Sequence, residues 1–248
     1  MTDKWIYLSP HFDDAVFSAG GLIWEQVQQG CQVEIWTICA GEPPADQPLS
    51  EFARELHALW DAGQAPVQER AKEDIHSCQR LGATLRHLPW LDCIYRVDPK
   101  KGSPYVQEEE DLYKPYSGDE FNALTGLLRS HEIPRNAQVA VPLGIGSHRD
   151  HTVVRAVAEQ LYGKIWHYAD FPYIMQKQIN PTSFVKDGAL TIKPPFCSQS
   201  LQAWKDAIAC HGSQLPVFWK NAEEMRAAID QYVEMIWKQN SGAILWKF

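Results

Sequence analysis

Trp5-Ile6-Tyr7-Leu8-Ser9, Pro10-His11-Phe12-Asp13-Asp14, Ala19-Gly20-Gly21 and, beyond Gly30, Gln32-Val33-Glu34-Ile35-Trp36-Thr37-Ile38-Cys39 open the chain and decide its fold class. Trp5–Ser9 is a short apolar run halted by a proline, the signature of a strand covered on both faces. Leu22, Ile23 and Val27 fall at helical spacing in a segment read from Ala19 to Gln29, with Gly30 as its stop. The β-branched and aromatic run 32–39 reads as a second strand. Strand, turn, helix, strand within forty residues is a βαβ opening, which demands parallel pairing.

The rest of the chain keeps this alternation. Residues 40–64 carry three prolines and several acids and read as a loop with one short helix. Val67–Leu81 is predicted helical and ends at Gly82, and Thr84–Leu88 is a third strand. Asp92–Gly118 is polar and punctuated by Gly and Pro, which suits an insertion or rim loop. Phe121–His131 reads as helix, Gln138–Pro142 as a buried strand, Gly144–His151 as loop, Thr152–Tyr162 as helix and Ile165–Tyr168 as strand. Trp204–Cys210 and Ala222–Gln239 are late helices. Such alternation predicts one α/β domain over residues 1–248, its mainly parallel sheet covered by helices on both faces.

Composition narrows the function. With 248 residues, 45% hydrophobic and 22% charged, the chain is neither disordered nor a coiled coil. Its formal charge of −8 and the lack of any long Lys/Arg run exclude a nucleic-acid footprint. No apolar window approaches the roughly 20 residues of a membrane span, and no signal peptide is read at the start. The six cysteines are scattered without a C-x-x-C pair and read as reduced thiols of a cytoplasmic protein.

Two clusters sit just beyond predicted strand ends, where open α/β sheets place ligands. One is Ser9 to Asp14; the other is Gly144-Ile145-Gly146-Ser147-His148-Arg149-Asp150-His151. Each pairs imidazole with carboxylate, a donor set suited to Zn²⁺ or another divalent first-row ion such as Fe²⁺. His11 and Asp14 are three apart in a tight turn, and His148 and His151 have the same separation. A catalytic zinc takes about three protein ligands and keeps one position open, so residues remain over for proton transfer. By spacing alone, Asp13 and Asp14 read equally as acids at a helix N-terminus, and Asp150 as a helix cap.

Pro10-His11-Phe12-Asp13-Asp14 resembles the P-H-P-D-D motif, and His148-Arg149-Asp150-His151 the H-P-D-H motif, of the LmbE/PIG-L family. Arg70-Ala71-Lys72-Glu73-Asp74, Leu91-Asp92-Cys93-Ile94-Tyr95-Arg96, Tyr168-Ala169-Asp170-Phe171-Pro172-Tyr173 and Ser213-Gln214 extend the resemblance over most of the chain. It implies a Rossmann-like three-layer α/β fold and a zinc-dependent deacetylase acting on N-acetylglucosamine-type amides. It further implies that His11, Asp14 and His151 bind the metal, the choice of His151 over His148 coming from the family alone. Asp13 would then be the general base. His148, oriented by Asp150, would stabilise the oxyanion or, charged, protonate the leaving amine. Three positions depart from the motifs: Phe12 and Arg149 stand in place of prolines, and Ala15 where many members have Glu.

Around these lie candidate substrate contacts: Arg70, Asp92, Arg96, Arg149, Tyr168 and Asp170. Each has a plain alternative. Arg70 can pair with Glu73 on a helix face, Asp92 with Arg96 in a buried bridge, Tyr168 can pack in the core, and Gln214 can cap a helix. Arg149 adds a positive charge that faces either a substrate anion or solvent. The expected partner is a small amino-sugar substrate, and oligomeric state is left open. Rival readings are a metal-dependent hydrolase of a non-sugar amide and a sugar-binding module without turnover. Dinucleotide binding fits poorly, because no G-x-G-x-x-G follows the first strand.

Overall fold

A computed structural model describes residues 3–194, 196–239 and 242–248. In chain order the elements are β1 (Lys4–Ser9), α1 (Asp14–Gln28), β2 (Gln32–Thr37), α2 (Glu51–Trp60), α3 (Pro66–Leu81), β3 (Thr84–His87), α4 (Gly118–Arg129) and β4 (Gln138–Pro142). There follow α5 (Arg149–Tyr162), β5 (Trp166–Tyr168), α6 (Tyr173–Gln176), β6 (Leu190–Ile192), α7 (Ser198–Ile208), α8 (Leu215–Phe218), α9 (Ala222–Gln239) and β7 (Leu245–Lys247). One seven-stranded sheet runs in the order β3-β2-β1-β4-β5-β7-β6. β1 to β5 pair in parallel, whereas β7 runs antiparallel to both β5 and β6.

The continuous apolar reading of β1 has a simple cause. Successive side chains point to opposite faces of a strand, and both faces are covered. Trp5 and Tyr7 enter a core shared with α1, α3, α7 and α9; Ile6 and Leu8 enter a second core with α4 and α5. A third, smaller core lies beneath α2 and the 91–112 segment, where Trp60, Tyr95 and Val106 are buried together. The three-layer α/β architecture expected from the sequence is therefore what forms.

Three local readings are corrected. The first helix begins at Asp14 and not at Ala19, so Gly20 and Gly21 lie in its interior. They are there because α7 packs against them: a Cβ on Gly20 would lie 2.5 Å from Trp204 Cδ1, and one on Gly21 2.7 Å from the same ring. The fifth helix begins at Arg149, which puts Asp150 and His151 in its first turn and not in a loop. Finally, β6 and β7 were not read as strands, because three-residue strands carry too little periodicity to register.

Trp204 is fully buried, and its Nε1 donates to the Val16 carbonyl at 2.8 Å, so the ring has nowhere to retreat. Gly20→Ala should cost about 1–3 kcal/mol through overpacking, a fall of several degrees in the thermal midpoint that calorimetry would register.

His211 is buried against Phe17, and neither ring nitrogen has a hydrogen-bond partner among the described residues. Burial lowers its pKa to about 4, against an unfolded value near 6.5. Stability from this residue is thus fully present above pH 6.5. It falls as the pH drops towards 4, because the unfolded chain binds the proton first. At about 1.4 kcal/mol per unit, the loss should approach about 3 kcal/mol. Denaturant titrations at pH 7 and pH 4 should show that part of the pH dependence vanish in His211→Leu.

Candidate active site

The sheet brings the two motifs together. β1 and β4 are neighbours in it, although about 130 residues separate them, and β2 and β3 lie on one side while β4 and β5 lie on the other. The strand order therefore reverses between β1 and β4, and a crevice opens outside their carboxyl ends at such a switch point. His11, Asp13 and Asp14 leave β1 into α1; His148, Asp150 and His151 sit at the start of α5 after β4.

Local geometry aims each side chain. Ser9 Oγ donates to the His11 carbonyl at 2.6 Å and accepts from Ala15 N at 3.0 Å, fixing the turn. Asp14 Oδ2 accepts from the His11 backbone N at 2.7 Å. Asp13 occupies the cap position of α1 but makes no side-chain capping bond, so its carboxylate remains in the crevice. After β4 the loop turns through positive φ at Gly144, Gly146 and Ser147. A Cβ on Gly146 would press on the Tyr173 ring at 3.2 Å. The turn delivers His148 to the cap of α5, where its Nδ1 accepts from Asp150 N at 3.3 Å. That bond leaves the proton of a neutral imidazole on Nε2.

The other two imidazoles are each held from behind by a carboxylate. His11 Nε2 bonds Asp150 Oδ2 at 3.1 Å, and its Nδ1 faces Asp14 Oδ2 at 3.1 Å. His151 Nδ1 bonds Asp170 Oδ1 at 2.6 Å, and Asp170 Oδ2 accepts from Ile145 N at 2.8 Å. The buried Nε2 of His151 makes no hydrogen bond and lies 3.2 Å from Asp14 Oδ1. Two ring nitrogens thus converge on one carboxylate, each pinned on its far side, as metal-ligating histidines are. His11, His148 and His151 also form a buried group whose ring nitrogens lie within 4.8 Å of one another. That group offers imidazole donors of the kind a divalent first-row ion takes.

The charges of the cluster are set by burial and by one another. Burial opposes the His11 cation, but Asp92 and Asp14 outweigh it and hold its pKa well above the ordinary value. Burial likewise opposes the His151 cation, and Asp14 and Asp170 raise it to about 10. Asp14, despite its burial, is held well below the carboxylate range by those two histidines. Asp13 is pushed up to about 6 by burial and by Asp14 beside it, against the pull of Arg70 and His11. Burial, then the charges of His11 and His151, hold His148 well below its ordinary value.

A pocket of about 100 Å³ opens over this cluster, lined by His11, Asp13, Asp14, Arg70, Asp92, His148, Tyr173 and Gln214 with an apolar rim of Leu56, Trp60, Ile94, Leu112, Val217 and Phe218. Of the six expected substrate contacts, Arg70 and Asp92 line it. Arg70 stacks 4.5 Å over the Trp60 ring, with Nη2 3.6 Å from Asp13 Oδ1. The other four do not line it. Tyr168 is fully buried and donates to the Leu8 carbonyl at 2.9 Å, and Asp170 lies behind His151. Arg96 and Arg149 are both turned onto the buried Glu120. Asp150 differs too: its carboxylate serves His11, Cys93 N at 3.0 Å and Arg96 Nη2 at 2.5 Å, whereas His148 receives only its backbone N–H.

Sequence reasoning missed Glu120, whose place three residues after Ser117 makes it a capping-box acid on α4 and hides its other role. Tyr173 and Ile94 lie inside motifs quoted above but were not singled out as pocket residues, and the other rim residues carried no pattern of their own. Gln214, read as a cap, makes no capping bond on α8; its side chain lies in the pocket and donates to Ser213 Oγ at 3.0 Å.

A profile of the PIG-L family, described as GlcNAc-PI de-N-acetylase, matches residues 6–162. The chain belongs to this de-N-acetylase family. The matched span contains both motifs and reaches four of the seven strands, β1 to β4. A 2'-N-acetylparomamine deacetylase from Niallia circulans is 29% identical over 202 residues, covering 74% of this chain and 70% of that protein. Among solved structures, the zinc-inhibited form of teicoplanin deacetylase Orf2 superposes with a TM-score of 0.79 at 23% identity, covering 98% of this chain and 97% of its own. The A40926 pseudoaglycone deacetylase Dbv21 gives 0.68 at 24% identity, over 99% and 95% of the two chains. At these identities the structures establish the shared fold. No helix among the described residues of this de-N-acetylase is long and apolar enough to cross a membrane.

The donor set gives a direct test. Protein purified without chelator should carry about one equivalent of divalent metal by elemental analysis, and His151→Ala should lose it.

Proposed function

We propose that the enzyme is a zinc-dependent hydrolase that removes an N-acetyl group from an amino sugar or its conjugate, releasing acetate and a free amine. The observation that carries this reading is the convergence of His11 Nδ1 and His151 Nε2 on Asp14, beside an Asp13 carboxylate that caps nothing. In the same reading residues 1–248 form one deacetylase domain. The six free thiols fit a reducing cytoplasm.

His11, Asp14 and His151 would hold the ion, which when bound lowers the pKa of a water and polarises the amide carbonyl. Asp13, raised to about 6, takes the proton of the attacking water and afterwards carries it to the departing amine, since a base poised near neutrality serves both steps. His148 is neutral with its proton on Nε2, so it donates a hydrogen bond to the carbonyl oxygen as negative charge develops there. Asp170 and Asp150 keep the two metal-binding imidazoles in the correct tautomer. Arg70, Asp92 and Gln214 are the polar groups of the pocket left to bind sugar hydroxyls.

The pocket of about 100 Å³ has room for a group of a few heavy atoms such as acetamido. The remainder of the substrate then rests on the apolar rim. Relatives named for deacetylating paromamine- and teicoplanin-type compounds support an amino-sugar conjugate as that remainder.

Asp13→Asn should keep its metal and lose about 10²–10⁴-fold in kcat, measured as acetate released from a panel of N-acetylated amino sugars. Undiminished turnover would remove Asp13 from the mechanism. Cleavage confined to simple amides would select a non-sugar substrate, and sugar binding without acetate release would select a binding module.

A further inference from the structure

We infer that Glu120, on α4, is a positioning residue for the metal ligand His11, acting through Arg96 and Asp150. The inference rests on the metal-site reading above. Its basis is a buried relay of four charges that runs from the outer helix layer to the crevice. Glu120 Oε1 accepts from Arg96 Nε at 3.2 Å and Nη2 at 2.8 Å. Both its oxygens accept from Arg149, Oε1 from Nε at 2.9 Å and Oε2 from Nη2 at 2.7 Å. Arg96 Nη2 then reaches Asp150 Oδ1 at 2.5 Å, and Asp150 Oδ2 takes His11 Nε2 at 3.1 Å. The side chains of Glu120, Arg96, Arg149 and Asp150 are each at most 7% exposed, so water screens none of these charges.

Two guanidiniums face two carboxylates, and the count balances only with Glu120 present. Arg149 stands where the family motif has a proline, so this chain places an extra buried cation directly beside Asp150. Glu120 is the acid that takes it. Without that carboxylate, Arg149 would keep, among the described residues, a 3.4 Å contact to the Lys114 carbonyl and its place over the Tyr105 ring, and Arg96 would keep Asp150, the Leu91 carbonyl and the Trp90 ring. The acid left to Arg96 is Asp150, and a stronger pull from that guanidinium competes with the Asp150 bond to His11 Nε2. With a metal bound, that bond would keep the His11 proton on Nε2 and leave the Nδ1 lone pair for the ion. Buried ion pairs add little net stability, and groups behind metal-binding histidines commonly change metal affinity 10- to 100-fold.

The test is the Zn²⁺ dissociation constant, read by competition with a chelating dye, for wild type, Glu120→Gln and Glu120→Asp. Glu120→Gln should bind Zn²⁺ about 10- to 100-fold more weakly. Glu120→Asp keeps the charge but is one methylene too short to reach both arginines, and should show a smaller loss in the same direction. If Glu120→Gln does not fold, Glu120→Asp decides alone. A folded variant with a lowered thermal midpoint and wild-type Zn²⁺ affinity would overturn the inference, leaving Glu120 a purely structural residue. Wild type that takes up no Zn²⁺ would overturn the metal-site reading, and this inference with it.

Discussion

The parallel pairing of β1 with β4 is the contact on which the site depends. It joins segments far apart in the chain, and it fixes their register so that both strands end at the same edge of the sheet. Because β2 and β3 build outward from one side of β1 and β4 and β5 from the other, helices α1 and α5 start side by side with nothing between them. Their first turns carry the histidines and carboxylates. A one-residue slip would send Tyr7 and Ile6 to each other's faces, and would also rotate His11 away from Asp14 and His151. Register, core and donor geometry are therefore one constraint.

Burying so many ionisable groups is costly unless each is paired. Here nearly every charge has a dedicated partner: Asp150 behind His11, Asp170 behind His151, Arg70 near Asp13, and Glu120 across Arg96 and Arg149. The exception is instructive. His151 Nε2 is buried and without a hydrogen bond, next to an Asp14 that burial alone would have neutralised. A positive charge at that point, a proton on the imidazole or a bound cation, satisfies the nitrogen and the carboxylate together.

Much of this was legible in the chain. The apolar runs 5–9 and 138–142 marked the two central strands because both their faces are covered, and the motifs after them marked the crevice. The positions behind the first ring of ligands were not legible. Asp150 sits one residue from His151 and two from His148, so its sequence neighbours suggest it orients His148; only the tertiary fold shows it reaching His11, 139 positions away. Arg96 and Arg149 looked free to bind an anion because their partner, Glu120, reads locally as a helix cap. Tyr168 and Asp170 flank the end of β5, where period-2 alternation sends them to places that sequence distance does not distinguish. Partners set by three-dimensional proximity leave no spacing to read.

Two of the three motif departures show how such a site tolerates change. Phe12, in place of a proline, packs its ring edge-on to His87 at 5.3 Å and beneath Arg70 at 5.4 Å, so the larger side chain becomes part of the wall that holds Arg70 over the pocket. Arg149 brings a charge into a dry interior, and that charge is matched by Glu120 on a different helix. Neither change touches a donor atom. The fold itself does not select the reaction, since a 4-carboxy-2-hydroxymuconate hydratase from Pseudomonas putida KT2440 shares it at a TM-score of 0.52 and 14% identity. In the reading proposed above, what selects it is which nitrogen the imidazoles above β1 and β4 present, a choice set by the carboxylates behind them.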